Sequence, residues 1–323
     1  MINIESIFPL ITTTLSFMFF LSVSEQYIRK RKMHQLIWAI AMFFFFITAG
    51  AEFLALLLGT WNPLVYRFYY IFAAIQVAFM GGGVFYLLAD RGMINERNVY
   101  IPLLLVSLVW VFFSLIFSFA NPIFNFVLVP ALVLFGLGLV YPFIRGSVKL
   151  SGTAFSNIYI LFTLYIFIFI AYQAFISQLN LDYLSTGGEV SGLAWQLNPL
   201  DKTEPRAAVR LFSPLFTVTG AIGLIGGAFY SYFAWQRSIK SQTGSYNYRT
   251  GIFNLYIAFG ALALSAGGAL SGFGFGMLYV AETISVSFMY FGFLESDKIT
   301  LTKLVDTVTL KFLRKSNESA LNI

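Results

Sequence analysis

Four ionisable side chains lie inside strongly apolar stretches of this chain, Glu52, Arg67, Arg210 and Glu282. A charged group at membrane depth is costly, so each marks a structural pair or a working site. Glu52 lies about two helical turns before the end of the second stretch, and Arg67 roughly one to two turns into the third. A short turn joins those stretches, so both side chains reach similar depth. One reading is an orienting ion pair with the arginine reaching outward to the interface; the other is a polar site for substrate, quinone or proton. Glu282 falls near the middle of the last stretch with no obvious partner nearby in sequence, and Arg210 is the cation placed to reach it. That isolation makes Glu282 the stronger functional candidate; the alternative is a protonated, hydrogen-bonded packing residue. Glu25 precedes Arg29 by four residues, the spacing of a helix-surface pair. His34, beside the RKRK run, reads as interfacial, and Gln76, Asn157, Gln173 and Asn254 as polar contacts between helices.

Other chemistry is bounded by what is missing. There is no cysteine and a single histidine, so disulfides, thiolate-held clusters, a bis-histidine haem and a histidine-rich metal site cannot be built from this chain alone. No HExxH, nucleophile–base pair or carboxylate-rich metal motif is visible, so no enzyme activity is expected. The glycine runs GGG (81–83) and SGFGFG (271–276) lack the strand and the Gly-Lys-Ser/Thr of a phosphate loop. The chain itself is expected to hold no cofactor and no metal, and to have no nucleic-acid partner.

The elements that position these residues follow from composition. At 59% hydrophobic and 11% charged, with mean hydropathy +0.79, the chain lies far from soluble domains, which are near 45–50% apolar and 25% charged. It reads as an all-α polytopic membrane bundle, with spans at about 6–28, 35–59, 64–89, 99–120, 122–144, 154–178, 210–235, 252–271 and 274–295, nine in all. The first lacks a basic leader and a small-residue cleavage site and is read as retained. Sixteen of the twenty lysines and arginines fall in 29–34, 90–98, 145–153, 236–251 and the tail. The excess of positive charge marks the cytoplasmic side, which places the N-terminus outside, the C-terminus in the cytoplasm and the protein in the cell membrane. Residues 1–295 form the transmembrane domain. The tail 296–323 carries Leu301, Leu304, Val305, Val308 and Phe312 at helical spacing, an amphipathic pattern suited to the anionic inner leaflet or to a partner. The extracellular connection 179–209, with Trp195, is long enough to cap the bundle or dock a partner protein.

Small residues recur where helices must approach. Ala74, Ala78 and Gly82 repeat every four positions; Gly223 and Gly227, and Gly267, Gly268 and Gly272, repeat the device. In lipid such stripes let backbones pack closely, and that is the simplest role for these glycines; ligand contact is the alternative. The echo GGVFY (82–86) and GGAFY (226–230) hints at a parallel internal repeat.

Three blocks together, WNPLVYRFYYIFAAIQVAFMGGGVFYLLADR (61–91), EPRAAVRLFSPLFTVTGAIGLIGGAFYSYFAWQR (204–237) and FNLYIAFGALALSAGGALSGFG (253–274) leading into FMYFGFLES, resemble a family of poorly characterised multi-spanning proteins of archaea and actinobacteria. The family has about seven spans and no established catalytic motif, and the fifth and sixth spans here would be an insertion. The cysteine-free, phenylalanine- and isoleucine-rich character and the length also resemble the hydrophobic membrane partner in archaeal cytochrome b558/566 complexes. That second resemblance implies a non-catalytic subunit anchoring an exported haem protein of a respiratory electron-transfer complex, with haem on the partner and 179–209 as its docking surface. The readings set against it are a transporter or small-molecule-binding protein built on Glu52, Arg67, Arg210 and Glu282, and a seven-span-type sensor.

Overall fold

Where no water can serve the backbone, every N–H and C=O must be satisfied within its own segment, and a helix does this. The computed structural model describes residues 6–185, 193–195, 208–243, 251–270 and 277–297, and they are helical with short connections. In chain order the helices are α1 (Ile7–Lys30), α2 (Met33–Leu58), α3 (Pro63–Asp90), α4 (Tyr100–Ser118), α5 (Phe124–Ile144), α6 (Gly152–Ile176), the one-turn α7 (Leu181–Leu184), α8 (Ala208–Ala221), α9 (Gly227–Thr243), α10 (Ile252–Leu270) and α11 (Met277–Asp297). A π-helical segment, Ile222–Gly226, joins α8 to α9 as one continuous span. Among the described residues eight spans are long and apolar enough to cross a membrane. The remaining expected span coincides with α10, apolar over Ile252–Ala266. The protein is a multi-pass integral membrane bundle. Gly272 and the tail beyond 297 lie outside the described residues; Gly267 and Gly268 fall on α10.

The bundle is built around α3. Of its most apolar window 78% is buried, against 22% for α5, and it packs on α2, α6, α8 and α9. Phe119 and Phe143, 87% and 88% exposed, show the outer surface that faces lipid. Three consecutive glycines explain how one helix serves several neighbours, because successive residues point about 100° apart. A Cβ on Gly81 would lie 2.5 Å from the Gly220 carbonyl of α8, one on Gly82 2.6 Å from Ile160 of α6, and one on Gly83 2.2 Å from the Trp38 ring of α2. Ala74 and Ala78 are buried, and the Tyr159 hydroxyl of α6 donates to the Ala78 carbonyl at 3.1 Å. Gly223 meets Gly81, and Gly227 meets Val84. Contacts ascend together in α3 and α8–α9, so the echoing segments run parallel. Their matched glycines are used differently, however: Gly82 abuts α6, whereas nothing lies within 4 Å of a Cβ on Gly226.

The corner between α2 and α3 is fixed locally. Gly59 takes φ +69°, a left-handed conformation suited to glycine, and ends α2. Asn62 then caps α3 by accepting from the Leu64 amide at 2.9 Å, with Pro63 in the first turn. This tight corner lays the end of α2 against the start of α3.

Candidate functional site

The α2–α3 corner places Glu52 six residues before the end of α2 and Tyr69 six residues after the start of α3. Both therefore lie about 9 Å inside that end of the bundle. Glu52 is 1% exposed, and its carboxylate lies beside the Tyr69 hydroxyl. Glu282 arrives from α11, five residues after Met277, and is also buried. Glu282 and the Tyr279 hydroxyl lie within electrostatic reach of the Tyr69 hydroxyl. Glu282 is thus not an isolated mid-span group: it lies near the same Tyr69 hydroxyl as Glu52.

The expected Glu52–Arg67 pair does not form. Arg67 and Tyr69 are two residues apart, about 200° around the helix, so the face that brings Tyr69 to Glu52 turns Arg67 away. Arg67 donates from Nη1 to the Ala174 carbonyl of α6, and its guanidinium lies over the Trp195 ring at 5.6 Å from the centroid. Near the start of α8, Arg210 lies beside the Tyr70 hydroxyl, with Ser213 as that hydroxyl's partner.

Trp195 is 2% exposed, packed against Tyr66 and Tyr70 at 5.7 and 5.6 Å between ring centroids. The Trp61 amide donates to the Leu184 carbonyl and the Asn180 amide to the Ala194 carbonyl, each at 2.8 Å. The described parts of 179–209 therefore form a cap on the bundle, pinned by Arg67. Arg67→Ala is expected to lower stability by about 2 kcal/mol, from loss of a charged hydrogen bond and a cation–π contact. Thermal unfolding in detergent would show it, with Arg67→Lys recovering only part, since the flat guanidinium is lost.

Polar groups continue inward from the carboxylates between α1, α2, α3 and α11. Thr48, one turn from Glu52, donates to Gln76 at 3.2 Å. Thr12 and Thr283 are joined at 2.8 Å, and Ser22 and Tyr290 at 3.1 Å. The Ser285 hydroxyl is buried with no hydrogen-bond partner. At the lysine- and arginine-rich end a cavity of about 180 Å³ opens between α1, α2, α3, α10 and α11, and Gln26, Gln35 and Asn254 line it. His34 lines this cavity too, hydrogen-bonded through Nδ1 to Asp90 at 3.2 Å, rather than simply marking an interface. Glu25 and Arg29 pair at 3.5 Å as their spacing predicts.

Sequence reasoning singled out Glu52 and Glu282 and missed Tyr69 and Tyr279. A signal existed: Tyr69 and Gln76 are seven apart and Thr48 and Glu52 four apart, so each pair shares a helix face. Among the described residues no group of three or more histidine, aspartate or glutamate side chains is placed to hold a metal ion. No protein family, no curated protein and no solved structure matches this chain.

Proposed function

We propose that the chain is a proton-linked carrier of a small solute. The observation that carries this reading is the convergence of Glu52 and Glu282, from helices far apart in sequence, around the Tyr69 hydroxyl. Two carboxylates and tyrosine hydroxyls inside an apolar bundle form a proton-holding arrangement. The glutamates would bind and release the proton, and Tyr69 and Tyr279 would hold the carboxylates in place by hydrogen bonding. The buried polar groups Thr48, Gln76 and Ser285, on the helices that carry the two carboxylates and Tyr69, support the reading. With the positively charged end taken as cytoplasmic, the cavity would open on that side and the carboxylates would lie toward the opposite face of the membrane.

Proteoliposomes loaded with a pH-sensitive dye test this directly. A panel of small organic acids, amines and sugars added outside is expected to include a solute that drives proton uptake. Glu52→Gln and Glu282→Gln are each expected to cut that uptake about tenfold or more, a cost typical of a lost general acid–base group, with the folded protein still recovered. Uptake indifferent to both substitutions would sink the carrier reading. Recovery of the chain with an equal amount of a haem-bearing polypeptide would instead favour the respiratory anchor that the cytochrome resemblance implies.

A further inference from the structure

The cavity at the basic end is graded along its depth in a way that specifies a ligand. Lys30, His34 and Arg91 stand at its mouth, Gln26, Gln35 and Asn254 lie next, and Met42, Met80 and Met289 close it. Helix register gives this order: on α1 Lys30 lies one turn beyond Gln26, and on α2 Met42 lies about 10 Å beyond Gln35. The three methionines are at most 3% exposed. An apolar cavity of about 150 Å³ accepts benzene, so about 180 Å³ accepts one six-membered ring. Gln35 and Asn254 are 3% and 2% exposed. The Gln35 Nε2 donates to Gln26 Oε1 at 2.9 Å, but Gln35 Oε1 and Asn254 Nδ2 have no hydrogen-bond partner. Buried polar atoms without partners are destabilising until a ligand or water satisfies them. One acceptor and one donor without partners thus belong to residues that line the cavity, which carries Lys30 and Arg91 as well. Asp90, the neighbour of Arg91, is engaged by Lys32 at 3.9 Å and His34 at 3.2 Å. Arg91, held to the Ser231 hydroxyl at 3.3 Å, keeps further guanidinium donors.

We infer that this cavity binds a small organic anion with a single-ring apolar body, a carboxylate, and a hydroxyl or amino donor beside that carboxylate. The ring sits among the methionines, and the carboxylate accepts from Asn254 and from Arg91, with Lys30 adding charge at the mouth. The neighbouring donor meets Gln35 Oε1. This names a substrate class for the carrier reading and rests on it for transport alone; binding stands on the cavity itself.

The test uses the full chain in lipid nanodiscs and fluorine NMR of 4-fluoromandelate, with 4-fluorophenylacetate, which lacks the hydroxyl, and 4-fluorobenzyl alcohol, which lacks the charge. Saturable binding of 4-fluoromandelate is expected. Removing either ligand group should weaken it about tenfold, as should Asn254→Leu or Arg91→Gln, the usual cost of a hydrogen bond to a charged group. Arg91→Gln lies at the exposed mouth, so it remains informative if Asn254→Leu fails to fold. Equal binding of the alcohol and the acid, or no binding by folded protein, would overturn the inference. Binding that persists in Glu282→Gln while proton uptake is lost would uphold both readings. Binding without any proton-linked uptake in the unmodified protein would remove the carrier and leave the site.

Discussion

Gly220→Ala is expected to lower the stability of the bundle by about 3 kcal/mol, whereas Gly226→Ala, six residues further along the same span, is expected to leave it unchanged. A Cβ on Gly220 would lie 2.3 Å from the Val77 carbonyl oxygen and 2.7 Å from the Ala78 amide nitrogen of α3. Those atoms are backbone and have no rotamer to escape into, so α3 and α8 would have to separate. Separation would also open the approach of Gly81 to Gly220 and Gly223, whose backbones pack directly on one another. Overpacking a well-filled interior costs about 1–3 kcal/mol, and contact along this whole seam puts the cost at the upper end. At Gly226 a Cβ meets nothing within 4 Å. Detergent-solubilised protein followed by size-exclusion chromatography and thermal unfolding separates the two variants. An unchanged unfolding midpoint for Gly220→Ala would mean that α3 and α8 are not in this close contact.

Much of the architecture was legible because a bilayer imposes a simple rule. A run of about twenty apolar residues with a break at each end must be a helix, and every expected span coincides with a helical segment. The four-residue recurrence of Ala74, Ala78 and Gly82 likewise foretold a close-packed face: all three are buried, and Ala78 and Gly82 meet Tyr159 and Ile160 of α6. The site was less legible, because depth along a helix is one coordinate and direction around it is another. Glu52 and Arg67 were placed correctly in depth, yet Arg67 points some 200° from the face that meets Glu52. The partner of Gly223 was illegible for a related reason. It depends on which of three adjacent glycines faces α8, and that is settled only when α2 and α6 claim the other two. The cavity was illegible altogether: residues 26, 35 and 254 share no local pattern, and only the packing of α10 and α11 beside α1–α3 brings them together.

The same glycine run yields a prediction of the opposite kind at Gly83, where binding should fail before folding does. A Cβ there would lie 2.2 Å from Trp38 Cδ1 and 2.3 Å from its Nε1. Here the obstacle is a side chain, which can swing away, so α2 and α3 need not part. The absence of a side chain at 83 is what lets the indole lie on the α3 backbone and donate to the Met80 carbonyl at 3.1 Å. In that position Trp38 walls the basic-end cavity, with His34 edge-on to it at 5.7 Å between ring centroids. Gly83→Val should therefore cost about 1–3 kcal/mol in stability but displace the indole and deform the cavity. Binding of 4-fluoromandelate is expected to fall about tenfold or more, since a misshapen wall forfeits both packing and the aligned hydrogen bonds. Trp38→Phe separates the two contributions: it keeps an aromatic wall, removes the bond to Met80, and should weaken binding less than Gly83→Val. The difference between the fluorescence spectra of the protein and of Trp38→Phe isolates the Trp38 emission, which should shift on probe binding and should not shift in Gly83→Val. Unaltered binding in Gly83→Val would show that the glycine serves helix packing alone and that Trp38 does not shape the site.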